Sequence, residues 1–255
     1  ILDEGWIWML RFNDERVSIG FALDNKNDFY SSLPTEKIWN DLLQKYPSVQ
    51  QIFDGAVLAK QPGKIIRSQR LQRKISHCFG KGWVALPHTA GFIDPLFSPG
   101  IAFTLSGLEK IVHAITQYWN DEQMLQKHLR EYENAFSEEL KLIDILIAGS
   151  YQTMAHFTLF NAWSMLYFTA TIMYEQKRLK NLPVKYFLEA DNAQVQTIVH
   201  ATYEDLLTIT QRQTISQTDI ERFTDAVRQR IQPYNIAGLL DPNSKNMYHH
   251  TVAEL

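Results

Sequence analysis

One long segment without a single Asp, Glu, Lys or Arg, Ile145–Tyr174, restricts most strongly what this chain can fold into. It is longer than the roughly 20 residues that a membrane-spanning helix needs. It nevertheless contains the polar residues Ser150, Gln152, Thr153, His156, Asn161 and Ser164. We therefore predict a helix buried inside a soluble protein, interrupted at Gly149 and Ser150, and we expect no membrane contact.

The composition also favours a globular protein in a reducing, cytoplasmic location. Apolar residues make up 45% of the 255 residues and aromatic residues 12%, which is enough for a core in one or two domains. The formal net charge is -3, without the clustered basic excess that is typical of nucleic-acid binding. The single cysteine, Cys78, excludes an internal disulfide framework.

The N-terminal part is predicted to be rich in strands. Gly5–Phe12 and Arg16–Leu23 are two β-type runs separated by Asn13-Asp14-Glu15, which is typical of a hairpin. A helix is predicted to begin at Pro34-Thr35 and to end at Pro47. Further strands are predicted at Gly55–Lys60, Leu71–His77 and Trp83–Leu86. This order indicates a mostly antiparallel sheet with a helix against it.

After Gly100 the pattern becomes helical. A capping box at Ser216-x-x-Asp219 predicts the start of the last helix. The predicted helices span residues 101–118, 122–147 with a clear amphipathic stripe, 192–211 and 219–232. The fold class is thus α+β, a mostly antiparallel sheet followed by a helical region. The predicted divisions are a sheet portion with one helix at 1–90, a loop and helix at 91–118, the helical region at 119–232 and a tail at 233–255.

The segment Gly82–Phe103 carries the most functional information. A predicted buried strand, Trp83–Leu86, leads into a loop of small residues that contains Gly91, Pro95, Pro99 and Gly100 and then opens a helix. Free backbone N–H groups and the helix dipole favour negative charge at such a place. The alternative is an ordinary strand-to-helix connection in which Gly and Pro only shape the turn.

Several common signatures are absent from the sequence. No GxGxxG follows a strand, and there is no Walker A loop, GxSxG elbow or HExxH. The adjacent pair His77-Cys78 cannot form a tetrahedral metal site by itself. No metal site is predicted.

The loop residues also resemble a known family. Ala90-Gly-Phe-Ile-Asp-Pro-Leu-Phe-Ser-Pro-Gly100 resembles the second flavin-contacting motif of flavin-dependent halogenases and geranylgeranyl-reductase-like enzymes. Gly5-Trp-Ile-Trp-Met-Leu10 resembles the WxWxIP segment of the substrate-domain sheet, and Val17–Gly20 matches the strand that pairs with it. The resemblance covers about residues 2–115, and the helical remainder agrees only in type.

The resemblance implies a two-domain FAD-dependent oxidoreductase of which this chain is the C-terminal part, without the Rossmann-like N-terminal part. It implies a monooxygenase- or halogenase-like reaction of secondary metabolism on an aromatic or apolar small molecule. A flavin reductase, or a separate chain with the nucleotide-binding domain, would be a partner. The residues expected to contact FAD are His88, Thr89, Ala90, Gly91, Asp94, Pro95, Leu96, Phe97, Ser98, Gly100 and Ile101. The family's catalytic lysine has no counterpart in this chain, so no catalytic residue is predicted.

Four departures from the family pattern bear on the reaction. The family's Gly-Asp-Ala is Pro87-His88-Thr89 here, so an acidic ligand of the FAD hydroxyls is replaced by histidine, as a phosphate donor or as a structural loop residue. Arg11 replaces the proline that ends WxWxIP, and Phe97 replaces the catalytic glutamate of tryptophan-type halogenases. Pro99 removes one of two N–H donors of the family's halide site and leaves Gly100. Family members that act on phenolic or carrier-bound substrates also carry an apolar residue at the position of Phe97, so Phe97 excludes only the tryptophan-like subgroup. The donor lost at Pro99 favours monooxygenase or reductase chemistry over halogenation.

The substrate side is expected among aromatic residues. The candidate pocket consists of Trp6, Trp8, His156, Phe160 and Trp163. The alternative for the helical residues is a plain buried core, with His156 as a neutral, hydrogen-bonded core histidine rather than a general base. A second function remains open, in which the chain is a degenerate, non-enzymatic relative that serves as a binding or partner protein.

Overall fold

A computed structural model describes residues 1–24, 30, 32–241 and 243. The predicted tail at 233–255 therefore lies mostly outside the described residues, and its first part forms a short helical turn at Gln232–Tyr234. The chain divides into two units, a hairpin unit at residues 1–71 and a helical unit that begins at Gln72. Each unit is described by itself.

The hairpin unit starts with the predicted pair of strands. Strand β1 (Gly5–Arg11) pairs antiparallel with β2 (Val17–Leu23). Trp8 lies opposite Gly20 in this register. The turn between the strands contains Glu15 in the left-handed region, at φ 67°. The hairpin prediction is confirmed.

Two short helices follow the hairpin. Helix α1 (Thr35–Lys45) buries Ile38 and Leu42, and Pro47 then begins α2 (Pro47–Ile52) rather than only ending the first helix. The strand predicted at Gly55–Lys60 is wrong, because this segment consists of turns and coil. Its apolar Val57 is 91% exposed, so the segment has apolar residues but no neighbouring strand to pair with.

The helical unit contains only very short strands. They are β3 (Arg73–Lys74), β4 (Phe79–Gly80), β5 (Trp83–Val84) and β6 (Gly91–Phe92). β3 pairs with β6 and β4 with β5, both antiparallel. Among the described residues the strands thus form three separate two-stranded sheets. The α+β class is confirmed, and the prediction of one mostly antiparallel sheet is wrong.

Side chains of the long helix Glu122–Thr153 form hydrogen bonds with backbone groups next to these short strands. The Tyr132 hydroxyl donates to the Ala85 carbonyl at 2.7 Å, and the Cys78 N–H donates to Glu133 Oε1 at 2.6 Å. Strands this short cannot show the alternating pattern by which longer strands are recognised. A buried strand was predicted at Trp83–Leu86. Its first residue, Trp83, is instead half exposed at the surface.

Six helices build the rest of the described unit. They are α3 (Pro87–Ala90), α4 (Gly100–Tyr118), α5 (Glu122–Thr153), α6 (Phe157–Leu179), α7 (Ala193–Thr210) and α8 (Gln217–Ile231). The four helices predicted after Gly100 are confirmed, and α5 extends one and a half turns beyond its predicted end. The capping box is also confirmed, because Ser216 Oγ accepts from the Asp219 N–H and the Asp219 carboxylate accepts from the Ser216 N–H.

The predicted interruption at Gly149 and Ser150 is wrong. Both residues lie inside α5, and the break comes later, at Met154–His156. A Cβ on Gly149 would lie 2.2 Å from the Trp163 ring, so this glycine allows α6 to approach α5 closely. No described helix is long and apolar enough to span a lipid bilayer.

The core of the unit includes one buried ion pair. Glu139, which is 1% exposed, accepts from Lys110 Nζ at 2.6 Å and from the Phe187 N–H at 2.8 Å. Phe187 begins a turn in which Leu188 and Glu189 both adopt left-handed backbone angles. Burial raises the pKa of the Glu139 carboxyl above its ordinary value, although Lys110 and the Phe187 N–H act in the opposite direction.

Candidate functional site

The candidate site is the connection from β6 to α4, and α5 fixes its starting point. Ala90 is completely buried and Gly91 lies against α5. A Cβ on Gly91 would come within 2.8 Å of Leu140 Cδ2 and Phe136 Cζ. Glycine therefore allows β6 to lie directly on the helix, so that the loop leaves from a rigid base.

The loop itself, residues 93–99, is a compact turn. The Asp94 carboxylate accepts from the Leu96 N–H at 2.9 Å and from the Tyr151 hydroxyl at 2.8 Å. The Ser98 N–H donates to the Pro95 carbonyl at 2.8 Å, and Ser98 adopts φ 51°. A left-handed residue other than glycine is unfavourable by about 1 kcal/mol, so contacts outside the turn must hold this conformation.

Phe97 packs into the helical unit instead of pointing away from it. Its ring stacks on Tyr167 at a centroid distance of 4.4 Å and an angle of 12°, and meets the edge of Phe168 at 6.0 Å. Tyr167 is only 7% exposed, and burial raises the pKa of its phenol. The position of Phe97 therefore suits an apolar ring, and a carboxylate there would lose its water without gaining a charged partner in these contacts.

The start of α4 offers backbone donors. Pro99 precedes the helix and provides no side-chain cap. The first N–H groups of a helix lack acceptors within the helix, so those of Gly100 and Ile101 are free to bind a ligand oxygen or an anion. Ile101 is 77% exposed, which keeps this end of the helix open in the described unit.

His88 lies beside these donors. Its imidazole stacks on the Phe92 ring at 5.0 Å with an angle of 4°, and a Cβ on Gly100 would lie 3.0 Å from its Nδ1. Arg73 donates to the His88 carbonyl at 2.9 Å, and its guanidinium lies 5.4 Å from the centre of the Phe92 ring. A basic cluster and a helix N-terminus thus share one small surface, and both favour a negatively charged group.

The structure brings the predicted cofactor residues together. All of them lie within one continuous segment of the helical unit, from α3 to the first turn of α4. The predicted loop before Gly91 is instead the short helix α3, on which His88 and Thr89 are exposed. Arg73 was not predicted as a site residue. The strand predicted at Leu71–His77 contains it but is shortened to Arg73–Lys74, and no strand was predicted at its partner Phe92.

The predicted substrate residues are distributed differently. Trp6 and Trp8 lie in the hairpin unit, edge to face at 6.1 Å. Trp163 is completely buried in the helical unit, where its Nε1–H donates to the Leu146 carbonyl at 2.7 Å, so it is part of the core. Phe160 is half-buried near Phe157.

His156 differs from its predicted environment. It occupies the exposed break before α6, and its side chain makes no capping hydrogen bond. The prediction of a core histidine is therefore wrong. No cluster of three or more His, Cys, Asp or Glu side chains that could hold a metal ion occurs in the described part of the chain.

A family model and individual relatives all point to halogenases. A family model described as tryptophan halogenase matches residues 2–172. Tetracycline 7-halogenase of Kitasatospora aureofaciens is 24% identical over 216 residues, which cover 81% of this chain and 38% of that protein. Monodechloroaminopyrrolnitrin halogenase PrnC of Pseudomonas fluorescens is 24% identical over 179 residues, which cover 68% and 31% respectively.

Solved structures share the fold. A crystal structure of halogenase PltM in complex with phloroglucinol and FAD superposes with a TM-score of 0.81 at 21% identity, covering 97% of this chain and 54% of that chain. Another structure of halogenase PltM gives a TM-score of 0.79 and covers 98% of this chain and 53% of that one. The chain thus spans about half of these two solved chains and 38% and 31% of the two relatives named above.

Proposed function

Because the chain belongs to the tryptophan halogenase family, we propose that it forms the loop-and-helix side of an FAD site in a flavin-dependent oxidoreductase. The single observation that carries this proposal is the open start of α4. There the Gly100 and Ile101 N–H groups have no side-chain cap, and Gly100 lies beside the His88 imidazole, which stacks on the Phe92 ring. The substrate is proposed to be an aromatic or apolar small molecule.

The residues present fit a flavin. Its pyrimidine edge carries carbonyl oxygens and, when the ring is reduced, negative charge, which backbone N–H donors at a helix start stabilise. Gly100 leaves room that a side chain would fill, since a Cβ there would meet the His88 imidazole at 3.0 Å. The exposed Thr89 hydroxyl and His88 imidazole are further donors for the ribityl or phosphate groups. FAD supplies the redox chemistry when bound.

The other side of the site would come from a nucleotide-binding part outside these 255 residues. The length of a relative supports this proposal, since the match covers only 54% of the FAD-bound solved chain. We expect either a longer natural polypeptide or a separate chain to provide it. A flavin reductase, or a nicotinamide cofactor, would supply the electrons.

Hydroxylation or reduction is favoured over halogenation by one observation. Pro99 occupies the position before α4 and has no N–H, so a halide would depend on the Gly100 N–H alone. Phe97, stacked on Tyr167, offers no carboxylate to polarise a halogenating species, which argues only against a tryptophan-type halogenase. Neither change removes the flavin-binding donors, so the flavoenzyme proposal does not depend on the halogenation proposal.

Intact mass and flavin absorbance of the purified natural protein test the main proposal. We expect a yellow protein, or one that takes up FAD in a titration followed by quenching of flavin fluorescence. A natural protein that contains these residues with no further nucleotide-binding part or partner, remains colourless and takes up no FAD would sink the proposal. It would favour the alternative, a non-enzymatic binding protein that keeps the fold.

Halide dependence of the product tests the choice of reaction. With a flavin reductase supplied, we expect product formation from an aromatic substrate to be independent of added chloride or bromide. A product that forms only when halide is present, and that carries the halogen, would show that Gly100 alone suffices or that the halide site is elsewhere.

A further inference from the structure

The side chain of Tyr151 connects the loop between β6 and α4 to α5. Tyr151, half-buried in the last turn of α5, donates its hydroxyl hydrogen to Asp94 Oδ2 at 2.8 Å. The other oxygen, Oδ1, accepts from the Leu96 N–H at 2.9 Å and so closes the turn. Both oxygens of Asp94 therefore have partners within the helical unit.

A second contact connects the same loop to α6. Phe97 and Tyr167 stack nearly parallel, with ring centroids 4.4 Å apart. Such an offset ring pair contributes about 1 kcal/mol beyond its buried area. The loop is thus fixed at Asp94 by a hydrogen bond and at Phe97 by ring packing, on either side of Pro95 and Leu96.

The two anchoring helices are themselves held in register. The Trp163 ring lies over Gly149, and its Nε1–H donates to the Leu146 carbonyl at 2.7 Å. Tyr151 lies two residues after Gly149 in α5, and Tyr167 lies one helical turn after Trp163 in α6. The close approach of the helices therefore fixes where both anchors stand.

We propose that Tyr151 is a positioning residue for FAD, acting through Asp94 to hold the turn that presents the Gly100 end of α4. On this reading Asp94 orders the loop and does not contact the cofactor through a free carboxylate oxygen. The inference rests on the proposed function. Its physical basis is the left-handed Ser98, an unfavourable conformation that the hydrogen bond to Tyr151 and the Phe97 ring packing keep in place.

The test is a double-mutant cycle in the natural full-length protein, with Tyr151→Phe, Asp94→Asn and the double variant. The FAD dissociation constant and the flavin absorbance spectrum are measured for each variant. We expect about five- to tenfold weaker FAD binding for Tyr151→Phe, the effect of one hydrogen bond. Because both changes break the same contact, the double variant should be no weaker than Asp94→Asn alone.

Tyr174→Phe is the matched control. Tyr174 lies in α6 with its ring against Phe187, so the same loss of a hydroxyl occurs in the same helical unit, away from the loop. It should leave the FAD dissociation constant unchanged. Thermal unfolding midpoints of all variants separate a loss of folding from a loss of positioning.

The outcomes distinguish the inference from the proposed function. If the unmodified protein binds FAD but Tyr151→Phe binds it equally well, or if the two effects add fully, the positioning role is overturned and the flavin site stands. A lower unfolding midpoint with an unchanged FAD constant and spectrum would show a purely structural tyrosine and overturn it as well. If the unmodified protein binds no FAD, the proposed function fails, and the inference fails with it.

Discussion

Each of the two units contains a tryptophan that lies over a glycine, but only one of these tryptophans is locked in a core. In the hairpin unit the Trp8 ring covers Gly20 of the neighbouring strand and remains partly exposed. In the helical unit the Trp163 ring covers Gly149 and is completely buried, with its N–H bonded to a helix carbonyl. The contact between a tryptophan ring and a glycine therefore has room to adjust at Trp8, whereas the buried Trp163 ring is fixed in position.

The difference shows where the candidate site obtains its rigidity. The β1–β2 hairpin leaves Met9 and Leu10 more than half exposed. The helical unit buries α5 and α6 against each other, and the candidate loop is anchored to both helices. The position of the loop should therefore respond to changes between α5 and α6.

The largest expected effect comes from adding one methyl group at each glycine. A Cβ would lie 2.2 Å from the tryptophan ring at both Gly149 and Gly20. We expect Gly149→Ala to cost about 3 kcal/mol of unfolding free energy despite alanine's better helix propensity, because the buried ring cannot move. Gly20→Ala should cost about 1 kcal/mol, because the Trp8 ring can swing towards water.

Chemical denaturation of the two variants measures this pair of values. The outcome that contradicts the comparison is an equal cost for both changes, or a larger cost for Gly20→Ala. FAD binding by Gly149→Ala, measured under conditions where it is folded, should also be weaker than that of Gly20→Ala.

A smaller effect of opposite sign in the two units is expected from two glutamates. Burial would raise the pKa of Glu4, but its hydrogen bonds to Lys45 and Tyr46 hold that pKa below the ordinary value of 4.5. The stability that Glu4 contributes is thus complete above pH 4.5 and is lost as pH falls through the lower, folded pKa. Burial raises the pKa of Glu139, so its contribution is complete below 4.5 and declines as pH rises through the folded pKa.

Glu4→Gln and Glu139→Gln measure the direction in which each glutamate changes stability with pH, because glutamine does not titrate. As pH rises through the folded pKa of Glu4 to 4.5, we expect Glu4→Gln to lose about 1 kcal/mol relative to the unmodified protein, the size of a charged hydrogen bond. Glu139→Gln should gain relative to the unmodified protein as pH rises from 4.5 through the folded pKa of Glu139. The free energy of unfolding is measured for both variants at several pH values. If it changes in the same direction with pH for both variants, relative to the unmodified protein, the opposite pKa shifts of Glu4 and Glu139 are refuted.

The smallest signal is the labelling of Cys78, which reports on the helical unit alone because the chain has no other cysteine. Cys78 is 2% exposed, and burial raises the pKa of its thiol to about 11. At pH 8 about one thiol in a thousand is therefore ionised. We expect iodoacetamide to leave the native protein unlabelled for hours and to label it quickly in denaturant, as measured by intact mass.

Labelling in increasing denaturant then compares the two units. Cys78 should become reactive only with the main loss of helix, whereas the fluorescence of Trp6 and Trp8 is expected to change at a lower concentration. Fast labelling of the native protein would contradict the rigid helical unit.

Long periodic elements could be predicted from the sequence, and elements defined by single contacts could not. The stripe of α5 and the Ser216–Asp219 capping box predicted helices that are present. The alternating hairpin strands were equally clear. By contrast, the strands predicted at Leu71–His77 and Trp83–Leu86 are only two residues long, Arg73–Lys74 and Trp83–Val84, because each pairs with one equally short strand.

Glycine signals were ambiguous for a physical reason. A glycine such as Gly149 is typical of a helix break, yet Gly149 lies within α5. It is a glycine there because the Trp163 ring occupies the space that a Cβ would need. The real break, at Met154–His156, contains neither glycine nor proline. The choice between a break and a close approach depends on Trp163, fourteen residues away in sequence, counted from 149 to 163.

The sequence predicted a candidate loop but not the contacts that surround it. The Ala90–Gly100 motif indicated the loop, and the structure places its residues in one segment beside the start of α4. The anchors Tyr151 and Tyr167 and the guanidinium of Arg73 come from elsewhere in the chain, and no motif marks them. Two predicted pocket residues, Trp163 and His156, proved to be a core side chain and an exposed one.

Hydrogen–deuterium exchange of the natural full-length protein, with and without FAD, tests most directly whether the start of α4 binds the cofactor. We predict that FAD slows amide exchange in peptides covering residues 94–106, where Gly100 and Ile101 supply the free donors. Peptides from α8, on a helix distant in sequence from the loop, should exchange at unchanged rates. FAD binding that protects other peptides and leaves residues 94–106 unaffected would contradict the account.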